Sequence, residues 1–229
     1  MKYRLLLLYA ICFLVVNAKA QTNAGNQNIG LNLGYSNTSI TTTFFNPAYT
    51  PSSLTTTTKQ TSYSAAPAYS YFVGKDLDLG LAVGITGSSS KYDYAPTPYT
   101  PTKTDYIAYS GTIYLRKYLL FEGKVGIRTG PFFLYQQSTQ KNYYPEGSTY
   151  NNNADNKIDT YNVGINFDFV FYPARKLGLA ANIGTLGYSD VKSTTADGVG
   201  NNTTTQKSFN ANFLNNNFSL SLFFVLGNK

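Results

Sequence analysis

The sequence predicts an all-β fold: an eight-stranded antiparallel up-and-down transmembrane β-barrel with short periplasmic turns and long extracellular loops. Three observations lead to it. In the stretch Tyr161–Gly184, Tyr161, Val163, Ile165, Phe167, Phe169 and Phe171 alternate with Asn162, Gly164, Asn166 and Asp168, the period of a strand with two unlike faces. The polar face carries small residues and amides, and the pattern recurs along the chain. An apolar face turned to lipid accounts for that better than one packed on a core. Last, long and short connections alternate between the strands, the asymmetry of a barrel in an outer membrane.

The elements follow in order. Strand 1 is expected near 28–38, with Ile29, Leu31, Leu33 and Tyr35 on one face. A Thr-rich segment, 39–58, carries Pro47 and Pro51 and reads as a loop. Strand 2, 59–73, directs Tyr63, Ala65, Pro67, Tyr69, Tyr71 and Val73 outward, with a bulge, or a donor that faces water, expected at Pro67 because proline lacks a ladder donor. A tight turn at Gly74-Lys75-Asp76 leads to strand 3, 77–88, with Leu77, Leu79, Leu81, Val83 and Ile85 outward. The Pro- and Tyr-containing stretch 89–103 is the second loop.

Strand 4 is expected over 104–116 and strand 5 over 124–138, where Pro131 repeats the problem of Pro67. The Asn-rich stretch 139–157 is the third long loop. Strands 6 and 7 break at Pro173-Ala174-Arg175-Lys176, after which Leu177, Leu179, Ala181 and Ile183 resume the alternation. A fourth loop, 191–207, precedes a last strand over 208–226. There Phe209, Ala211 and Phe213 stand in the opposite phase to Phe218, Leu220, Leu222, Phe224 and Leu226, so a slip is expected near Asn215-Asn216-Asn217.

Residues 1–20 read as a secretory signal peptide, with a basic start, an apolar run from Leu5 to Val16 and Ala18-Lys19-Ala20 as the cleavage site. Residues 21–229 then form one barrel domain. The apolar run is too short for a helix across a bilayer of roughly 30 Å. The single cysteine, Cys12, lies within it, so the mature chain has neither a disulfide framework nor thiol chemistry. The formal charge of +7 includes Lys2, Arg4 and Lys19 of that segment. The other basic residues form no stripe, which argues against nucleic acid as a partner.

The chain has no histidine, which removes His-based acid–base and Ser-His nucleophilic catalysis. Asp76 and Asp78 read as a solvated rim at the short turn, not a catalytic dyad. Asp93, Asp105, Glu146, Asp155, Asp159, Asp190 and Asp197 are too dispersed for a calcium loop. No catalytic residue, cofactor or metal is therefore expected. Arg128 and Asp168 both face inward at comparable heights on strands 5 and 6, and are expected to form a structural ion pair in a narrow, side-chain-filled lumen. The tyrosines read as an interfacial girdle, while Tyr92, Tyr94, Tyr99, Tyr143, Tyr144 and Tyr150 form a loop group able to meet a partner or glycan.

Three stretches, Thr112–Phe133, Phe171–Ser189 and Phe218–Leu226, resemble the bacterial outer-membrane β-barrel domain family, small barrels of the OmpA/OmpX type. The resemblance covers the mature chain and marks architecture rather than activity. Barrels of this type commonly end on an aromatic residue, whereas this chain continues past Phe224 to Leu226-Gly227-Asn228-Lys229. The resemblance implies an outer-membrane address, assembly by the barrel-assembly machinery, and lipid and lipopolysaccharide as neighbours. The expected role is structural or surface-interacting, with the external loops contacting a partner. A narrow channel for small solutes is the alternative, and a soluble lipocalin-like carrier a third reading.

Overall fold

The computed structural model describes residues 22–45, 53–93, 101–144, 155–196, 201–213 and 220–227. All the regular structure in them is β. The strands are β1 (Gln27–Phe45), β2 (Ser53–Gly74), β3 (Leu77–Tyr92), β4 (Lys103–Phe121), β5 (Val125–Tyr143), β6 (Asp155–Ala174), β7 (Leu177–Ala196), β8 (Asn201–Phe213) and β9 (Leu220–Leu226). Each of β1 to β7 pairs antiparallel with the next in sequence, as an up-and-down ring requires.

The eighth position in the ring is shared by two strands. Near the short turns, β9 pairs with β1 through Gln27↔Leu226 to Leu33↔Leu220 and with β7 through Leu177↔Phe224 to Ala181↔Leu220. Further up, β8 pairs with β7 from Gly184↔Phe213 to Ala196↔Asn201, and among the described residues no ladder joins β8 to β1. Tyr35–Thr43 of β1 and nearly all of β8 are accordingly exposed on both faces. The expected single last strand is thus two strands. The expected change of phase holds, with Phe209 and Phe213 outward on β8 and Leu222, Phe224 and Leu226 outward on β9. The stretch Asn215-Asn216-Asn217 lies outside the described residues, as do the expected signal peptide and Tyr94, Tyr99 and Tyr150.

The strands run well past their expected ends at the long-loop end. Residues 39–45 and 53–58, read as loop, continue the β1–β2 ladder through Thr41↔Thr57, Thr42↔Thr56 and Thr43↔Thr55. Threonine is β-branched and suits a pleated surface, so a polar Thr run is strand here without an apolar face. The stretches 139–143 and 155–157, and 191–196 and 201–207, likewise belong to β5, β6, β7 and β8. Tyr92 and Tyr143 therefore lie on strands rather than in loops.

Of the two outcomes expected at the prolines, the bulge does not occur at either. Pro67 pairs with Leu31, while the β2–β3 ladder skips from Ala65↔Ile85 to Ala68↔Ala82 with its register kept. Pro131 likewise pairs with Ile165, and the β4–β5 ladder skips between Tyr114↔Phe132 and Lys117↔Thr129. The missing donor removes a rung, and the long flanks hold the register. A register shift instead falls on β7, where Phe167 meets Gly184 but Asp168 meets Asn182. Ile183 is the extra residue, so Gly184, Leu186 and Tyr188 continue the outward face where Ile183 was expected.

The outer wall in the half nearer the short turns is apolar. Leu79, Leu81 and Val83 of β3, Ile113 and Leu119 of β4, Ile127 and Phe133 of β5, and Val163, Ile165 and Phe169 of β6 are all exposed. On β3 this band runs from Leu77 to Ile85, close to the roughly 9–11 residues a tilted strand needs to cross a bilayer. In this half the apolar residues face out of the ring while Asp78, Arg116, Arg128 and Asp168 face in, the reverse of a soluble sandwich.

Candidate functional site

The lumen gathers buried charge and aromatic bulk, and it is layered. Nearest the short turns, Phe72, Tyr118, Val170, Tyr172, Ala180, Phe223 and Val225 form one buried cluster, with Leu120 packed against it. Phe72 and Tyr118 stack with ring centroids 5.5 Å apart, and Tyr172 meets Phe223 edge-on, also at 5.5 Å. The Phe223 ring lies directly over Gly178, where even a Cβ would sit 2.2 Å from it. A glycine on β7 is what lets a ring from β9 cross the bore. The plug arises because inward positions close to the turns carry large residues, whereas those further up are mainly small or polar, with Tyr114, Phe132 and Leu134 set among them.

A layer of ion pairs rests on the plug. The Arg128 Nε donates to Asp168 Oδ2 at 2.7 Å, across directly opposed residues of β5 and β6, and Asn182 Nδ2 donates to Asp168 Oδ1 at 2.9 Å. The structure thus brings the two residues singled out from the sequence into contact. The Arg128 guanidinium also stands over the Phe223 ring, 5.3 Å from its centroid.

A second pair lies beside the first. Arg116 Nε donates to Asp78 Oδ1 at 3.1 Å and Nη2 to Oδ2 at 2.6 Å, a two-point contact between opposed residues of β4 and β3. Ser70 Oγ, Tyr118 OH and Asn28 Nδ2 donate to the same carboxylate at 2.7, 3.1 and 3.3 Å. Asp78 is 0% exposed, which overturns its reading as part of a solvated rim. Strand 4 runs on to Phe121 instead of stopping at Arg116, so the rim lies several residues further down. Asp76 does stay at the turn, with φ +58°, and ties residue 22 to it through the Asp76 N–H, which donates to the Thr22 carbonyl at 2.8 Å.

Above the ion pairs the lumen opens into a cup of about 470 Å³. Asn32, Ser110, Thr112, Asn162, Asn166 and Thr185 line its wall, and Arg116, Arg128 and Asp168 form its floor. Chemically, the cup offers amides and hydroxyls to water or a small polar solute, over a floor whose two cations are each matched by a carboxylate. Among the described residues, no group of three or more His, Cys, Asp or Glu is arranged to hold a metal ion. Parity alone marks Asp78 and Arg116 as inward, since each falls between outward residues of its strand. The sequence reading lost them by placing them at strand ends.

Ring, lumen and apolar wall define the class: an up-and-down antiparallel β-barrel. No family model matches the sequence, and no curated protein matches it. Among solved structures the chain is similar to the translocator domain of the autotransporter NalP from Neisseria meningitidis. The identity is 10% and the TM-score 0.45, over 100% of this chain and 77% of that one.

Proposed function

We propose that this chain is an integral outer-membrane barrel of the small OmpA/OmpX type. It serves as a scaffold that presents its long-loop end to surface partners, and it catalyses nothing. The observation that carries this reading is the apolar wall facing out of the ring while Asp78, Arg116, Arg128 and Asp168 face in. That polarity is stable in lipid and unfavourable in water, so a soluble lipocalin-like carrier is disfavoured. Lipopolysaccharide and the barrel-assembly machinery are the partners this address implies. The aromatic plug beneath the cup supports a closed scaffold over a channel for small solutes.

The lipid face is tested by Phe169→Arg, which should cost roughly 2–4 kcal/mol if the position lies near the bilayer midplane. Asn166→Ala, on the cup wall, should cost far less. Reversible urea unfolding from lipid vesicles measures both, and equal losses would place a protein core outside the ring. Orientation is tested on intact cells with an impermeant thiol reagent. A cysteine replacing Asp93, at the long-loop end, should be labelled and one replacing Lys75 should not. The opposite result would invert the barrel.

A further inference from the structure

The outer face carries an arrangement of lysines that the scaffold itself does not need. The ladders set Lys59 of β2 opposite Lys91 of β3, and Lys91 opposite Lys103 of β4. Opposed residues share a face at roughly 5 Å, and like charges in that position destabilise a sheet. All three have the outward parity of Tyr63, Leu81 and Ile107. Elsewhere on the same outer face the sequence does the opposite: Lys192 stands opposite Asp159, and Lys207 opposite Asp190. Among the described residues, lysine faces lysine on β2–β4 alone.

The nearby carboxylates do not balance the row. Asp93 Oδ2 accepts from Lys59 Nζ at 3.0 Å, and Asp105 Oδ2 from Lys103 Nζ at 2.6 Å. Lys91, in the middle and exposed, has no ion pair among the described residues. Lys141 on β5 stands between two carboxylates, opposite Asp105 on one side and Asp155 on the other, so the run of facing lysines ends at β4. Next to the row the wall holds a cleft of about 390 Å³ lined by Lys103, Asp105, Lys141, Tyr63, Ile107 and Thr139. Its upper part is ionic and its lower part, Tyr63 and Ile107, leads down to the apolar wall. Tyr63 lies four positions along the strand from Lys59, and Ile107 four from Lys103, about 13 Å in each case.

From these positions we infer that the outer face of β2–β4 binds the phosphorylated headgroup of an outer-leaflet glycolipid. Lys59, Lys91 and Lys103 take the phosphate, and Tyr63 and Ile107 take the start of its apolar part. The charge selects a phosphate, and the height selects its source: ammonium groups one headgroup above an apolar wall face lipid, not the lumen. The inference deepens the proposed outer-membrane role and rests on it.

The test uses the full-length refolded protein in detergent micelles, with native mass spectrometry and thermal unfolding as readouts. The probes are diphosphoryl lipid A, the same lipid stripped of phosphate, and inorganic phosphate. The triple variant Lys59→Gln, Lys91→Gln and Lys103→Gln should bind diphosphoryl lipid A about tenfold more weakly than the parent, from the loss of charge-assisted contacts. The control pair Lys192→Gln and Lys207→Gln should bind it as the parent does. Dephosphorylated lipid should bind all forms equally weakly. Lys91→Gln alone should leave lipid-free stability equal or raised, because it relieves repulsion, yet should reduce the stabilisation gained from the lipid. Equal binding by parent and triple variant overturns the site. Full competition by inorganic phosphate overturns the lipid as its source. Both results leave the barrel reading intact, since that fails separately, through absence of a heat-modifiable folded form in micelles.

Discussion

Asp78→Asn is expected to destabilise the barrel by about 3–5 kcal/mol, because it leaves the Arg116 guanidinium in the lumen wall without its counter-charge. The carboxylate is fully buried and accepts from Arg116, Ser70, Tyr118 and Asn28, so one substitution disturbs four donors. Arg116→Gln should cost less, since three neutral donors remain on Asp78 and the cup floor admits water to the vacated space. The double variant should recover much of the loss, because no unpaired charge is left. Urea titrations of refolded protein in vesicles, read by the heat-dependent gel shift, measure all three. Strictly additive losses would mean that the pair is two independent contacts, and a loss no larger than that of exposed Asp93→Asn would mean that water reaches Asp78.

The second large effect concerns the plug. In a planar bilayer the parent protein should pass no steady current, whereas Tyr172→Ala combined with Phe223→Ala should conduct. Those two rings meet edge-on, and Phe223 covers Gly178, so truncating both joins the cup to the short-turn end. Each truncation of a large buried aromatic also costs about 3–5 kcal/mol. A milder pair, Tyr172→Leu with Phe223→Leu, keeps more packing and should give a smaller current in a better-folded barrel. Parent currents as large as those of the double alanine variant would replace the scaffold reading with the channel.

The ring and its two faces were legible because period two is written residue by residue, from Ile29–Tyr35 on β1 to Leu222–Leu226 on β9. The Arg128–Asp168 pair was legible for a related reason: counting from two short turns gives relative height on neighbouring strands, and height plus parity suffices for an inward contact. What the sequence hid were strand ends. Thr41–Thr43 and Thr55–Thr58 look like loop by composition, yet their ladder holds them as strand. The same misplacement of ends concealed Asp78 and Arg116, which parity would have delivered had strand 4 been carried to Phe121. The shift at Ile183 was also hidden, because an isoleucine in an alternating run reads as one more wall residue, and only the pairing of Phe167 with Gly184 exposes it. The division of the last strand was signalled by its change of phase, although phase alone could not say that two strands result.

The seven-residue contact of β9 with β1 has a consequence for the order in which the chain assembles. Apart from the two ladders of β9, every neighbour in the ring follows in sequence, so those ladders can zip outward from a nearby reversal. The ends joined by Gln27↔Leu226 are roughly 200 residues apart, and uniting them from an open chain costs about 3 kcal/mol more entropy than closing a four-residue turn. That junction is therefore the natural last step, made once the intervening hairpins have shortened the effective loop. Phe223 and Val225, which help fill the bore, arrive on the same strand. Until it docks, the assembled sheet is an open trough with a wet interior, so the event that completes the circumference is also the event that dries the bore.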